Sequence, residues 1–218
     1  EGDYSSASYY FGISALLGRN AEIRNLRRDS AQGDKKILGI LERVGCRVLW
    51  NAVGDTVEIA PPERLRAAGT IDMSRMQDIV PTVAVISAFA DGETIIANIE
   101  NLKFKECDRF NAVLSELRKL GVSVDAGADY IRINGNSNPR QYNAAEIETY
   151  KDHRMAMAFS LAGLKIPGLI IKSPDCVCKT FPEFYRDFLG LFDSEYDINS
   201  LFSEIYNSEY AKFRSNFV

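Results

Sequence analysis

The feature that most constrains the fold is an internal repeat. Three times along the chain an aspartate leads a helical pattern, and these aspartates, Asp3, Asp78 and Asp152, are 75 and 74 residues apart. So constant a period indicates that each copy is one supersecondary unit and that neighbouring units bury a common core. The three leading stretches are EGDYSSASYYFGISALLG (1–18), MQDIVPTVAVISAFADG (76–92) and YKDHRMAMAFSLAGLK (150–165).

Each copy continues with the same series of patterns. A β-rich run follows the first helix, and then comes a second helix. In the first two copies a pair of short strands follows, joined by a turn that carries Gly and Asp. Gly45 and Gly121 stand where a helix-ending glycine belongs. In the second copy, apolar residues at i, i+3, i+4 and i+7 predict a buried helix face. These residues are Phe110, Val113, Leu114 and Leu117.

These patterns predict an α/β fold of three β-α-β-α-β-β units about a pseudo-threefold axis. The third unit is expected to be incomplete, because no closing strand pair follows its second helix, which runs to Phe192. We therefore expect residues 1–192 to form one lobe and residues 193–218 to be an appended C-terminal tail. Most positions of the repeat serve only to build this fold.

Composition limits the kinds of partner and compartment. With 218 residues and 46% hydrophobic content the chain can bury a full core. A net charge of −4 gives no support for a nucleic-acid or membrane partner, so an anion site has to be a local cluster of Lys and Arg. The four cysteines lack zinc-site or CxxC spacing, and we interpret them as free thiols in a reducing cytoplasm. Because the chain opens at Glu1 in the middle of a motif, we expect it to be a piece of a longer chain.

Positive side chains stand where several helices are expected to begin. A helix N-terminus favours negative charge, so repeated cations there suggest a bound anion held by free N–H groups, the helix dipole and the side chains. Lys103 is one such cation, and the set expected to line one face of the domain is Lys105, Arg109, Arg154 and Lys179. The carboxylates Asp78 and Glu106 stand among them and are candidates for proton transfer. The plain alternative is a set of ordinary surface ion pairs, such as Glu106 with Arg109.

His153 is the only histidine of the chain and opens a helix together with Arg154. We expect an anion, rather than a capping carboxylate, to complete this helix end. Alternatively, His153 is a packing or hydrogen-bonding residue that positions Arg154. Between direct chemistry and this supporting role, we favour the supporting role.

Several motifs occur together in one order and spacing. They are EGDYSSASYYF, RRDSAQGD, MQDIVPT, KFKECDRF, ELRKLG, YKDHRMAMAFSLAG and DCVCKTFPEF. From residue 1 to about 192 the chain resembles the C-terminal lobe of the 5-enolpyruvylshikimate-3-phosphate synthase family. The patterns KxKExDR, DHRMAM and KTFP make this resemblance specific.

The resemblance implies the enolpyruvyl transferase fold, in which two lobes of three β-α-β-α-β-β units enclose the substrates. In the family, the lobe seen here is completed by the first strands of the full chain, which precede the other lobe. The implied reaction transfers the enolpyruvyl group of phosphoenolpyruvate to the 5-hydroxyl of shikimate 3-phosphate through a tetrahedral intermediate, and releases phosphate. No metal ion and no organic cofactor take part. The other lobe supplies half of the active site, so we expect this chain alone to be inactive.

The resemblance also implies roles for individual residues. Asp78 matches the carboxylate that contacts the acceptor hydroxyl and serves in proton transfer, and Glu106 matches the carboxylate near the methylene carbon of phosphoenolpyruvate. The cations that grip the carboxylate and phosphate of phosphoenolpyruvate are matched by Arg109, Arg154 and Lys179. On the shikimate side the matches are Asn101 and Lys105. Of these, Asn101 comes from the resemblance alone.

Two alternatives remain open at this stage. The first is the related UDP-N-acetylglucosamine enolpyruvyl transferase, which shares the fold but fits DHRMAM and KTFP less well. The second is a non-catalytic module that binds anions, or one subunit of a split assembly. Three departures from the family's pattern leave the fine geometry open: Gln77, Cys107 and Cys178.

Overall fold

The structure, a computed structural model, describes residues 1–191. The expected tail at 193–218 lies outside the described residues, as does Phe192 at the end of the expected lobe. In the described part of the chain, no helix combines the length and the apolar character needed to cross a membrane.

The second unit is complete and shows the plan of the fold. Its elements are β4 (Gly69–Asp72), α3 (Val80–Ala88), β5 (Gly92–Ala97), α4 (Arg109–Lys119), β6 (Ser123–Ala126) and β7 (Tyr130–Gly135). They form a sheet with the strand order β4-β5-β7-β6, in which β4 is parallel to β5 and the other neighbours are antiparallel. This is the β-α-β-α-β-β unit that the sequence predicts.

The first unit follows the same plan without a leading strand. Its elements are α1 (Tyr4–Leu17), β1 (Ala21–Arg24), α2 (Ile37–Arg43), β2 (Arg47–Trp50) and β3 (Thr56–Ala60). The sheet order β1-β3-β2 matches β5-β7-β6 of the second unit. Within residues 1–191, β1 therefore has no neighbour on the side where β5 pairs with β4.

The third unit has the leading strand, and as far as residue 191 it has no closing pair. Its elements are β8 (Glu146–Ile147), α5 (His153–Gly163), β9 (Ile170–Ile171) and α6 (Phe184–Gly190). The strands β8 and β9 form a two-stranded parallel sheet, which corresponds to β4 and β5. The expected absence of a closing pair after Phe192 falls on residues outside those that the structure describes.

The first helices of the three units form the centre of the lobe. Each of α1, α3 and α5 packs against the other two. All residues of α3 are buried, as are those of α5 apart from Arg154, because helices that are apolar all round belong inside a core. Between α1 and α3, the buried hydroxyls of Ser8 and Thr82 lie 3.2 Å apart. A Cβ atom on Gly12 would come within 2.6 Å of Leu161 in α5, so glycine permits this close approach.

The helix ends confirm some details of the sequence analysis and correct others. Gly45 and Gly121 adopt the positive φ angles of helix-ending glycines, at 107° and 80°. The predicted buried face of α4 is also confirmed, since its four apolar residues are at most 4% exposed. The expected helix starts near Lys103 and Lys179 are wrong, because both residues belong to short 3₁₀ helices, Glu100–Phe104 and Pro174–Lys179, that precede α4 and α6.

The three aspartates that lead the copies play different parts. Asp3 and Asp152 are N-caps whose side chains accept hydrogen bonds from backbone N–H groups of α1 and α5. The expectation that no capping carboxylate completes the start of α5 is therefore wrong. Asp78 lies in a 3₁₀ turn, Gln77–Ile79, and caps no N–H group of α3. Its carboxylate is left for side-chain partners.

Candidate active site

A buried arginine forms the centre of the charged cluster. The Nε atom of Arg109 donates to Asp152 Oδ2 at 2.7 Å, and its Nη1 atom donates to Asp78 Oδ1 at 3.0 Å. The Nη2 atom donates to Glu106 Oε2 and, at 3.3 Å, to Asp152 Oδ1. The Arg109 side chain is 1% exposed, so its guanidinium is enclosed by these three carboxylates.

Local sequence explains how Arg109 reaches this place. Asp108 caps α4 by accepting from the backbone N–H of Asn111, so the helix begins with Arg109 on its buried face. Asp152 caps α5 and accepts from Arg109 at the same time. One carboxylate therefore ties the second helix of unit two to the first helix of unit three.

Asp78 forms ion pairs with two further cations of the cluster. Arg154 Nη2 lies 3.1 Å from Asp78 Oδ2, and Lys105 Nζ lies 3.2 Å from Asp78 Oδ1. Together with Arg109, these cations surround the carboxylate. The first turn of α5 and the connection before α4 thus converge on the 3₁₀ turn before α3.

Glu106 links the third unit's 3₁₀ helix to the same cluster. Its Oε1 atom lies 3.7 Å from Lys179 Nζ, and its Oε2 atom accepts from Arg109. The structure thus brings Lys105, Arg109, Arg154 and Lys179 together around Asp78 and Glu106. The ion pairs are shared within one cluster, which differs from a set of unrelated surface pairs.

The exposed fractions show which groups a ligand can reach. Lys105, Arg154 and Lys179 have 33%, 17% and 62% of their side chains exposed, and Arg109 lies beneath the carboxylates. An incoming anion therefore meets these three cations directly. It has to draw Asp78 or Glu106 aside before it can contact Arg109.

The cations keep the carboxylates ionised. Burial raises the pKa of Asp78, but Arg154 and Lys105 outweigh this effect and hold the pKa below its ordinary value. Burial likewise raises the pKa of Glu106, and a backbone hydrogen bond together with Arg109 brings it below its usual range. For Asp152 the hydrogen bond and charge of Arg109 outweigh burial, so its pKa is also lowered.

His153 is a buried neutral residue in this structure. Burial lowers the pKa of His153, and the neighbouring Asp152 offsets only part of that effect. Its Nδ1 atom lies 3.9 Å from Asp152 Oδ1 and makes no hydrogen bond within the described residues. The supporting role of His153 stays a prediction.

Two predicted residues stand apart from the cluster. Asn101 lies exposed in the 3₁₀ helix before Lys105 and makes no hydrogen bond to the cluster within residues 1–191. Lys103 points away, since its Nζ atom donates to the carbonyl oxygen of Ala128 and lies 5.0 Å from the centre of the Phe110 ring. The shikimate-side role of Asn101 stays a prediction.

The first unit contributes residues to this region that the sequence patterns did not indicate. Asp34 accepts a hydrogen bond from the Ser5 hydroxyl, and burial raises its pKa, with Asp78 adding to the rise. Tyr9 of α1 is buried, and burial raises its pKa although the Arg154 charge opposes the rise. An acidic residue near a helix start is ordinary, so charge alone gave no signal for Asp34. Its motif, RRDSAQGD, was the available clue.

The thiol of Cys107, near the cluster, is held protonated. Cys107 Sγ donates to Asp152 Oδ2 at 3.4 Å, and burial together with Asp152 raises the pKa of Cys107 to about 12. All four cysteines of the chain are free. Among residues 1–191, no group of three or more His, Cys, Asp or Glu side chains is arranged to hold a metal ion.

The fold and the charge cluster together define the class, a lobe of the enolpyruvyl transferase fold. A solved structure of EPSP synthase from Acinetobacter baumannii matches 84% of this chain and 44% of its own length, with a TM-score of 0.71 and 26% identity. The enolpyruvyl transferase NikO from Streptomyces tendae matches 87% of this chain and 42% of its own length. Its TM-score of 0.66 at 21% identity shows the shared fold.

Sequence comparison identifies the family within this class. The family model for EPSP synthase (3-phosphoshikimate 1-carboxyvinyltransferase) matches residues 1–188, and the chain belongs to this family. Relatives named 3-phosphoshikimate 1-carboxyvinyltransferase, from Nostoc sp. and Shewanella baltica, are each 42% identical over 88% of this chain. The chain spans 44% and 43% of the length of these two relatives.

Proposed function

We propose that this chain is one lobe of an enzyme that transfers the enolpyruvyl group of phosphoenolpyruvate to the 5-hydroxyl of shikimate 3-phosphate, with release of phosphate. The reaction belongs to the shikimate pathway and so to the biosynthesis of chorismate and the aromatic amino acids. The single observation that carries the proposal is the convergence of Lys105, Arg109, Arg154 and Lys179 on Asp78 and Glu106. Membership of the family supplies the chemistry that such a cluster serves.

The cations bring two anionic substrates together. Fixed positive charges offset the repulsion between phosphoenolpyruvate and shikimate 3-phosphate and hold the reacting atoms close. Arg154, which is partly exposed, and Lys179, which is exposed, bind the phosphate and carboxylate of phosphoenolpyruvate. Arg109 joins them once substrate displaces a carboxylate from it. Lys105 and Asn101 serve the shikimate side.

The two carboxylates move protons in this proposal. Asp78 takes the proton of the acceptor hydroxyl as the oxygen attacks C2 of phosphoenolpyruvate, and Glu106 protonates the methylene carbon. Glu106, ionised by that transfer, then takes a proton back from the resulting methyl group, and phosphate leaves with the proton that Asp78 holds. The pKa of Glu106 is lowered in this structure, so the proton-donating form requires the negative charge of bound substrate or desolvation to raise it.

The enzyme needs a second lobe that this chain does not include. We propose the N-terminal lobe of the same enzyme as its partner, with the reaction running without metal or organic cofactor in the cytoplasm. The free thiols support a reducing compartment. The UDP-N-acetylglucosamine enzyme and a non-catalytic module are less favoured, because the relatives at 42% identity carry the 3-phosphoshikimate 1-carboxyvinyltransferase name.

A chimera tests the function directly. The part of the Nostoc relative outside the matched region is fused upstream of this chain, and phosphate release is measured with phosphoenolpyruvate and shikimate 3-phosphate. We expect turnover by the chimera and none by the purified chain alone, because transition-state contacts from the other lobe are then missing. Turnover by the chain alone, or a folded chimera that consumes UDP-N-acetylglucosamine instead, would contradict the proposal.

Substitutions in the chimera separate binding from chemistry. Arg154→Ala should mainly raise the KM for phosphoenolpyruvate, by the equivalent of ~2–5 kcal/mol for a desolvated charge pair. Asp78→Ala and Glu106→Ala should mainly lower kcat, by about 10²–10⁴-fold for a lost proton transfer. Arg132→Ala is the matched control, because Arg132 pairs with Glu93 and Asp125 on the second sheet, outside the cluster. Equal effects of all four variants on KM and kcat would speak against these roles.

A further inference from the structure

Helix α4 carries a second buried charge besides Arg109. Glu116 lies seven residues further along, so both side chains stand on the same face two turns apart. Both residues are 0% exposed. Arg109 belongs to the charged cluster, whereas Glu116 makes none of the cluster's contacts and has no part in the proposed reaction. A fully buried carboxylate requires partners that offset its desolvation.

The partners of Glu116 all come from one short segment and one neighbouring lysine. Its Oε1 atom accepts from the Tyr150 hydroxyl at 2.7 Å, and its Oε2 atom accepts from the backbone N–H of Glu148 at 3.1 Å. Lys119 Nζ lies 2.8 Å from Oε2. Both oxygens are therefore engaged, and the carboxylate is not available to a ligand.

The segment held by Glu116 has an unusual backbone. Tyr150 and Lys151 have φ angles of 55° and 57°, so two successive residues with large side chains adopt the left-handed conformation. Such residues seldom take this conformation unless the surroundings impose it. This turn leads directly into α5. Asp152, the next residue, caps α5 and accepts from Arg109, and Arg154, two residues further on, donates to Asp78.

We propose that Glu116 is a positioning residue of the active site. It holds the left-handed turn at 150–151 and thereby sets where Asp152 and Arg154 stand. Helix α4 thus contacts the residues at the start of α5 at two positions, through Arg109 in its first turn and through Glu116 two turns later. The consequence for substrate binding rests on the proposed function, whereas the consequence for the geometry of Asp152 does not.

The single histidine provides a readout of this geometry. His153 Nδ1 lies 3.9 Å from Asp152 Oδ1, so the imidazole NMR signals of the full 218-residue chain report on the position of Asp152. The variants are Tyr150→Phe, which removes one donor to Glu116, and Glu116→Gln, which puts an amide in place of the carboxylate. Tyr130→Phe is the matched control, because it removes a tyrosine hydroxyl from strand β7 of the second sheet.

We expect both test variants to shift the His153 signals and the control to leave them in place. Inorganic phosphate is then titrated into each chain at low salt. Its association constant should fall about threefold in Tyr150→Phe and about tenfold in Glu116→Gln, as expected for one lost hydrogen bond or a little more. If Glu116→Gln does not fold, Tyr150→Phe decides the question, since it leaves the buried carboxylate with its other partners.

A second substitution tests whether the effect passes through the turn. Asparagine tolerates the left-handed conformation better than lysine, so Lys151→Asn should move the signals of the Glu116→Gln chain back toward those of the wild type. A purely structural role predicts a lower free energy of unfolding in urea with unchanged His153 signals, and that result would overturn the proposal. Absence of rescue by Lys151→Asn would also overturn it. If the wild-type chain binds no phosphate, the proposed function is in doubt, while the His153 signals still decide the role of Glu116.

Discussion

At the scale of single residues, Arg109 contacts both the buried carboxylate that caps α5 and the two carboxylates of the candidate site. Its guanidinium contacts three carboxylates, of which Asp152 is 0% exposed and the other two are partly open to solvent. A buried ion pair adds little net stability, but removal of one partner leaves a buried charge uncompensated. The same residue therefore holds α4 against α5 and, in the proposed function, positions Asp78 and Glu106 for substrate.

Removal of Arg109 should be costly for folding. We expect Arg109→Ala to lower the free energy of unfolding by about 3–5 kcal/mol, because Asp152 is then buried without a counter-charge. Urea unfolding followed by circular dichroism measures this quantity. Arg132→Ala, which removes a more exposed arginine, should cost at most about 1 kcal/mol. Similar stabilities for the two variants would contradict the central position of Arg109.

His153 should give the lobe a pH-dependent stability that can be assigned to one residue. Its folded-state pKa is lowered from 6.5 by burial, so the unfolded chain binds the proton more tightly. The contribution of His153 to the free energy of unfolding is fully present above its pKa in the unfolded chain. It is lost as the pH falls from there toward its pKa in the folded chain. The slope cannot exceed about 1.4 kcal/mol per pH unit for one proton.

The measurement compares the wild type with His153→Gln in urea between about pH 5 and pH 8. The difference in unfolding free energy between the two chains should shrink as the pH falls through this window. Asp78, Glu106 and Asp152 have lowered pKa values and titrate below it, and the comparison cancels the contribution of Asp34. A difference independent of pH would mean that His153 is not held neutral.

At the scale of helices and strands, the sequence predicted types well and starting points less well. The apolar positions of α4 and the glycines at 45 and 121 were placed correctly, because helical periodicity and the left-handed helix end are local properties. The sequence predicts that α4 begins near Lys103, but α4 begins at Arg109 and Lys103 lies in the 3₁₀ helix Glu100–Phe104. Its residues are compatible with either helix type, and the packing of neighbouring elements selects one.

The residues of the candidate site could be predicted from the sequence where cations stand near expected helix starts, and could not be predicted elsewhere. Lys105, Arg109 and Arg154 were found because cations near helix starts are unusual. The ion pair between Asp152 and Arg109 and the effect of the Asp78 charge on Asp34 are interactions between different units. No local pattern in a single unit contains that information.

The start of α4 at Arg109, with Asp108 as its N-cap, can be tested by its effect on stability. Asp108 accepts from the backbone N–H of Asn111 at 3.0 Å, which is the contact of an N-cap. We expect Asp108→Ala to lower the free energy of unfolding by about 1 kcal/mol. Glu63→Ala removes an exposed carboxylate from a loop and should change it by at most about 0.5 kcal/mol. Equal stability of the two variants would place the start of the helix elsewhere.

At the scale of the whole molecule, the three units differ in how far their sheets extend. Within residues 1–191, the second sheet has four strands, the first lacks the strand that corresponds to β4, and the third consists of β8 and β9. Family resemblance implies that strands from the beginning of the full chain complete the lobe. An unpaired strand edge carries free N–H and C=O groups that can receive such strands.

One amide in the third sheet can report on this completion. The N–H groups of residues 170 and 172 bond to carbonyl oxygens on the β8 side, at Ala145 and Ile147. Because backbone groups alternate along a strand, the N–H of Ile171 points to the opposite edge of β9. In the second unit, the corresponding edge of β5 pairs with β7. Within residues 1–191, this edge of β9 has no strand beside it.

We therefore expect the Ile171 amide to exchange quickly with solvent deuterium in the isolated chain, because no backbone group of residues 1–191 accepts from it. In the chimera that adds the missing part of the relative, a strand beside β9 should slow its exchange by at least about tenfold, the effect of one protected hydrogen bond. Ile96 lies in β5 between two neighbouring strands and serves as the control, with equal protection in both proteins. Slow exchange at Ile171 in the isolated chain would mean that this edge is already covered. Fast exchange in an active chimera would mean that the added strands pair elsewhere in the lobe.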